Sequence, residues 1–149
     1  MSISASSKKS LLQLVMDKLK AADIDYTIGL YEDSGTYEDG RTVAQVGYDN
    51  EYGVPANNVP PRPFLVPGGQ KGFKKATEQA ILAIANGYGE EIALARAAQV
   101  MKQSIQRYIT ELKEPPNSPY TIEKKGSSNP LIDTGKMRRS ITFKREERK

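Results

Sequence analysis

Proline sets the strongest limit on how this chain can fold. Five of the nine prolines lie in residues 50–67, and three of them, Pro60, Pro61 and Pro63, almost follow one another. Proline fixes φ and lacks an N–H group, so neither a helix interior nor a central strand accepts such a cluster. We therefore predict an extended, polyproline-like arm over residues 58–67, with regular elements on either side of it.

The segment before the arm contains one helical pattern and two alternating patterns. Apolar residues at Leu11, Leu12, Val15 and Leu19 predict a helix over residues 8–22, capped by Ser10. Residues 26–32 and 42–49 alternate apolar and polar side chains around an acidic, glycine-containing turn. That pattern predicts an antiparallel β-hairpin, with its second strand burying Ala44, Val46 and Tyr48.

The segment after the arm is mainly helical. A glycine-rich lead-in predicts flexibility before a helix over residues 68–86, and the longest periodic run predicts a helix over residues 90–112. A loop over 113–129 follows, then a short helix over 136–139 capped by Asp133 or Thr134, and a strand over 141–143. We predict one α+β domain, residues 1–149, with an antiparallel hairpin or small sheet packed against two or three helices and with long Pro/Gly-rich loops.

Composition narrows the chemistry that the chain can perform. It contains no Cys and no His, which removes thiolate zinc sites, cysteine nucleophiles and the commonest neutral-pH base. The glycine-rich stretch 68–72 lacks phosphate-loop spacing, and Tyr48 and Tyr108 fit core positions better than a nucleic-acid stacking platform. We predict that the protein is not an enzyme and has no cofactor or metal. Five acidic residues could in principle bind a divalent metal, but they fit a solvated acidic turn better. They are Asp33, Glu38, Asp39, Asp49 and Glu51.

Charge is unevenly distributed along the chain. Residues 136–149 hold seven Lys or Arg against two Glu, whereas the 41 residues 20–60 hold eight acids against two bases. This asymmetry fits a nucleic-acid-binding tail, complementary faces between subunits, or simply a solvated basic terminus. No apolar stretch is long enough to span a membrane, and residues 1–10 do not form a signal peptide, so we expect synthesis in the cytoplasm.

Two groups of short motifs occur together in a specific order. Residues 43–53 read VAQVGYDNEYG and are followed at 60–65 by PPRPFL; later come KGS at 125–127 and PLIDTGKMRRSI at 130–141. This order resembles the neck, tail-completion and virion-morphogenesis proteins of tailed phages, over residues 43–141. The chain departs from that pattern at Asn50, where the family often has His, at Met137, where Leu is usual, and at Tyr120, where Trp is common.

The resemblance implies a non-enzymatic subunit of a phage virion, made in the host cytoplasm. It would form a homo-oligomeric ring at the neck or head-proximal tail, with six subunits favoured and twelve as the alternative. Its partners would be connector or adaptor, tail-terminator or tail-tube proteins, with nonspecific contact to phage DNA and none to membrane. The alternative function is a basic nucleic-acid-binding module that uses residues 136–149.

The predicted interface lies in the arm and near the second motif. Phe64 and Leu65 would be apolar anchors on a neighbouring subunit and Arg62 a charged one, on a backbone that Pro63 stiffens. Arg138 and Arg139 complete the predicted interface residues. The alternative is an arm that folds back onto the core of its own subunit.

Overall fold

The computed structural model describes residues 10–112 and 135–148. It forms five helices and one two-stranded antiparallel sheet, which confirms the predicted α+β class. In chain order the elements are α1 (Leu11–Ala21), β1 (Ile24–Gly29), α2 (Val43–Tyr52), α3 (Leu65–Ala85), α4 (Glu90–Glu111), α5 (Lys136–Ser140) and β2 (Thr142–Glu147), with short 3-10 turns at Glu32–Ser34 and Pro55–Asn57. The predicted loop 113–129 and the candidate caps Asp133 and Thr134 lie outside the described residues.

The helix α1 is stabilised by its N-terminal cap and by two buried side chains. The Ser10 hydroxyl accepts a hydrogen bond from the Gln13 N–H at 3.1 Å, as the sequence predicts. Val15 and Leu19 are buried, but Leu11 is 69% exposed, so the inward face is narrower than the apolar pattern indicates. A second small core joins α1 to the distal ends of α3 and α4 through Val15, Leu19, Ala80, Ala83 and Ala93.

The close contact between α3 and α4 depends on small residues. A Cβ added at Gly68 would lie 2.9 Å from the Ile105 Cα, and one at Gly72 would lie 2.5 Å from the Ser104 Cβ. The Ser104 hydroxyl donates to the Gly68 carbonyl at 2.7 Å, which ties the two helices together. The predicted flexible lead-in is therefore wrong: these glycines lie inside α3, where they permit two backbones to approach.

The sheet joins two segments that are far apart in sequence. β1 pairs with β2 in antiparallel register, with Tyr26 opposite Arg145 and Ile28 opposite Phe143. One face packs on α4, and the other is polar. The predicted strand at 141–143 is confirmed and extends to Glu147, but its pairing with β1 was not predicted.

The predicted hairpin is wrong, because its second strand is the helix α2. Thr42 caps this helix by accepting the Gln45 N–H at 3.0 Å. The buried positions are Val43 and Gly47, four residues apart, whereas Tyr48 is 61% exposed. Ala44, Val46 and Tyr48 alternate in sequence, but the helical spacing of Val43 and Gly47 decides the structure because Gly47 packs against Leu30 and Phe64.

The main core lies between α2, the start of α3, α4 and α5. Its members are Val43, Phe64, Ile105, Ile109, Met137 and Ile141, and Ile28 and Leu30 pack against it from β1 and the residue after it. The predicted helix over 90–112 is confirmed, and Ile105, one of the periodic apolar residues that predict it, is buried. Ile109, which lies outside that periodic set, is wholly buried.

Two glycine substitutions test the helix contact. Gly72→Ala should destabilise the protein by about 1–3 kcal/mol, because the new methyl group overlaps the Ser104 side chain that links the helices. Gly69→Ala is the matched control, since its Cβ would meet only the Met101 Cε at 3.4 Å. Alanine favours helix over glycine, so the control should be neutral or stabilising by up to about 1 kcal/mol in urea unfolding. Equal behaviour of the two variants would contradict the close contact.

Candidate assembly surface

The carboxylate of Glu51 closes the junction between α2 and α3. Its Oε2 accepts the Phe64 N–H at 2.8 Å and the Leu65 N–H at 3.0 Å, and its Oε1 accepts the Val66 N–H at 3.4 Å. These N–H groups open α3 and have no partner within that helix. A negative side chain at this end is also favoured by the helix dipole, so Glu51 serves as the cap of α3 from a distance of 13 residues or more.

The chain between Glu51 and α3 is held in a tight path. Gly53 has φ of +76°, and a Cβ there would lie 2.8 Å from both the Pro61 nitrogen and the Val59 carbonyl oxygen. Val54 and Val59 form an isolated antiparallel bridge, and the Arg62 N–H donates to the Asn50 carbonyl at 2.6 Å. Only glycine fits such a bend, which explains the Tyr-Gly pair in this motif.

The predicted arm is only partly extended, and Phe64 is not an anchor for a neighbour. Residues 60–64 belong to no helix or strand, and α3 already begins at Leu65, so Pro67 lies in its first turn, where proline is tolerated. Phe64 is 2% exposed and belongs to the main core of its own subunit. Leu65 packs against the same core. The alternative of an arm folded back on its own subunit therefore holds for these two residues.

The charged interface candidates keep partial exposure. Arg62 is half-buried, and this burial lowers the pKa of its guanidinium group from the ordinary value, while Pro63 is exposed. Arg138 Nη1 donates to the Thr110 hydroxyl at 2.9 Å, and its carbonyl accepts from the Gln106 side chain, so Arg138 is tied to α4. Arg139 is exposed at the end of α5, with its guanidinium group over Gly135.

Much of the charge in the basic C-terminal segment is matched within the chain. Lys144 contacts Asp33 at 2.9 Å, Arg145 contacts Glu91 at 2.8 Å, and Arg148 contacts Asp25 at 2.8 Å. The side-chain hydrogen bonds from Lys144 and Arg148 hold the pKa of the Asp33 and Asp25 carboxyl groups below the ordinary value. Three of the seven cations in residues 136–149 therefore contact carboxylates of the same chain.

The acidic residues do not form a metal site in the part of the chain that the structure describes. No three His, Cys, Asp or Glu side chains come together there as ligands. Asp39 pairs with Arg41 at 2.8 Å, and Glu51 is occupied with α3. None of the helices in residues 10–112 and 135–148 is long and apolar enough to cross a membrane.

Large apolar side chains on the outside of the helices form the candidate surface that the sequence pattern missed. The helix α3 turns glycine and alanine inward and leaves Val66, Phe73 and Leu82 between 51% and 61% exposed. Phe73 is one of the apolar residues whose spacing predicts this helix, but it lies on the outer face. A shallow groove of about 270 Å³ lies beside Val66 and Phe73; its other lining residues are Ile28, Leu65, Gly69, Gln70, Met101 and Ile105.

Two further apolar patches lie on α1 and α2. Leu11, Leu12 and Leu14 are between 53% and 69% exposed in the first turn of α1. Tyr48 and Tyr52 are 61% and 64% exposed and contact each other, with ring centroids 4.7 Å apart. Tyr48 was predicted in the core, so its exposure is a correction. Contiguous exposed apolar groups of this kind mark interaction surfaces more often than single exposed residues do.

Comparisons with known proteins add no relative. No protein-family model, no curated protein and no solved structure matches the chain.

A substitution at Glu51 tests the junction. Glu51→Gln keeps the size of the side chain but removes its charge at the start of α3, and should destabilise the protein by about 1–2 kcal/mol in urea unfolding. Asp49→Asn, on the same helix, is the matched control because, within residues 10–112 and 135–148, the hydrogen bond to its carboxylate comes from the Gln45 side chain; it should change stability by under about 0.5 kcal/mol. Similar losses for both variants would contradict the capping role.

Proposed function

We propose that this chain is a non-enzymatic structural subunit of a tailed-phage virion. It assembles into a homo-oligomeric ring at the neck or head-proximal tail, where it joins or completes the connection between head and tail. A ring of six is favoured and a ring of twelve is the alternative. Its neighbours in this role are connector or adaptor, tail-terminator or tail-tube proteins, and its location is the virion after synthesis in the host cytoplasm.

One observation carries the proposal: the parts of the motifs that lie within the described residues pack against one another. Glu51, from the first motif, caps the helix that follows the proline motif. Phe64, from the proline motif, shares a core with Met137 and Ile141, from the motif near the C-terminus. Short motifs that co-occur by chance have no reason to contact one another. Their mutual packing supports reading them as the signature of one domain type.

The exposed surface is consistent with assembly. A closed ring with head-to-tail contacts requires two different patches on each subunit. The α1 leucines supply one apolar patch, and the exposed Pro63 with Arg62 and Arg139 supplies a proline- and arginine-containing candidate for another. Arginine is enriched in protein interfaces because its planar guanidinium group makes several directed hydrogen bonds.

The same observations give less support to the alternative function of nucleic-acid binding. Three cations of the basic segment, Lys144, Arg145 and Arg148, already contact carboxylates of the same chain. Binding of phosphate to these side chains would compete with those contacts. A nonspecific contact to DNA inside a ring remains part of the proposal, since it needs only a few unmatched cations and no base recognition.

The decisive experiment is native mass spectrometry combined with negative-stain electron microscopy of the purified full chain. The expected result is a closed ring of six or twelve copies. A monomer at every concentration that also fails to bind head or tail particles lacking this subunit would overturn the proposal.

A double variant on α1 tests which surface forms the ring. Leu11→Lys with Leu14→Lys places two charges at positions 69% and 54% exposed, so the subunit should stay folded while ring formation drops at least tenfold. The matched control is Gln99→Lys with Gln103→Lys, which adds the same charge to exposed polar positions of α4. Circular dichroism checks the fold of both. Equal assembly of the two double variants would exclude α1 from the ring contact.

A further inference from the structure

The hydrogen-bonding pattern of the sheet leaves the outer edge of β1 open at Tyr26 and Ile28, whereas the Ile24 carbonyl on the same edge accepts a hydrogen bond from the Arg148 side chain at 3.4 Å. The Arg148 N–H donates to the Asp23 carbonyl at 3.0 Å, which places the inward-bonded pairs at Asp25, Thr27 and Gly29 of β1. In an antiparallel pair such positions alternate with outward ones. The N–H and C=O groups of Tyr26 and Ile28 therefore point away from β2, and no backbone partner for them occurs among the described residues.

The two edges of this sheet differ in chemistry. The outward positions of β2 are Phe143, Arg145 and Glu147, and charged side chains on an edge discourage the addition of another strand. Pairing β2 with itself about Arg145 would also place two arginines opposite each other. The outward positions of β1 are Ile24, Tyr26 and Ile28, which carry no charge and favour strand structure.

An uncovered apolar surface lies beside the open edge. The groove is lined by Ile28 of β1 and by residues of α3 and α4, and by none of β2, which puts it on the side of β1 away from β2. Val66 and Phe73 border it and are 57% and 61% exposed. The two-stranded sheet is therefore too narrow to cover the two-helix layer beneath it, and the exposed part is the face of α3 next to β1.

We propose that this edge binds the same edge of a second copy of the chain. In antiparallel pairing about a two-fold axis at Tyr26, Ile24 lies opposite Ile28 of the second copy, and Asp25 lies opposite its Thr27. In this register, the residues whose N–H and C=O groups point away from β2 lie opposite such residues of the second copy. No like charges face each other. The groove and the exposed Val66 and Phe73 of each copy come together beneath the resulting four-stranded sheet.

A second copy fits this surface better than a different strand of the same protein would. The contact is self-complementary: an apolar edge with an apolar groove meets an identical edge and groove, as a two-fold interface requires. The outward residues Arg145 and Glu147 of β2 instead line a polar hollow, which Ile24 at the start of β1 also borders. A head-to-tail contact between β1 and β2 would set apolar residues against those charges.

This inference does not depend on the proposed virion function. A two-fold contact pairs two copies whether or not a ring forms. If the chain also forms rings of six, the same contact joins two of them into an assembly of twelve.

The test is the mass of the full chain in solution, measured by light scattering after size exclusion. Phe73→Lys should lower the mass of the assembly twofold while circular dichroism stays unchanged, since Phe73 is exposed in the single subunit. Leu82→Lys is the matched control, because Leu82 lies on the same helix with 51% exposure but outside the groove, and it should keep the wild-type mass. A monomeric wild type, or a Phe73→Lys variant of unchanged mass, overturns the inference.

Hydrogen exchange of the backbone gives a second reading. The Tyr26 and Ile28 amides should be protected in the wild type and exchange at least tenfold faster in Phe73→Lys. Equal protection in both would mean that residues of the same subunit cover the edge, which also overturns the inference. These outcomes can be distinguished from those that test the virion proposal. A ring of six that keeps its mass in Phe73→Lys supports the ring alone. A dimer that becomes a monomer in Phe73→Lys supports the edge contact alone.

Discussion

The contact between the Glu51 carboxylate and the start of α3 is the constraint on which the rest of the structure depends. Prolines at 60, 61 and 63 deny this segment the regular hydrogen bonding that would otherwise define its path. Glu51 replaces that bonding by accepting three backbone N–H groups. Because the Gly53 bend and the Arg62 N–H also tie the segment to α2, the direction in which α3 leaves is fixed.

Fixing this direction positions Phe64, and Phe64 in turn connects distant parts of the chain. Burial of a side chain of this size contributes about 1.5–3 kcal/mol, more than any exposed ion pair in the molecule. Its neighbours Met137 and Ile141 lie more than 70 residues later and lead directly into β2. The sheet therefore pairs segments separated by more than 110 residues, which the shared core brings together.

Sequence reasoning found the elements whose evidence is local. The caps and apolar spacing of α1, α3 and α4 predict helices within three residues of their observed ends. It failed for α2, because Gly47 supplies the buried position and glycine carries no hydrophobic signal. Thr42 and Gln45 offer a capping pattern that could have indicated the helix. The partner of β1 could not be found, since nothing in the sequence of either strand encodes a pairing between such distant segments.

The placement of Phe64 was missed for a related reason: the sequence shows which residues are apolar but not which way they face. Phe64 was expected to reach a neighbouring subunit but is buried in its own, whereas Phe73 is exposed. The cause is the closeness of α3 and α4, which requires glycine and alanine on the inner face and so displaces the large residues of α3 to the outer one. In such a helix the short distance to its neighbour allows only small residues on the inner face, whereas the outer face can carry large apolar side chains. Close packing within the subunit and an exposed apolar surface on α3 are thus two consequences of the same pattern of small residues.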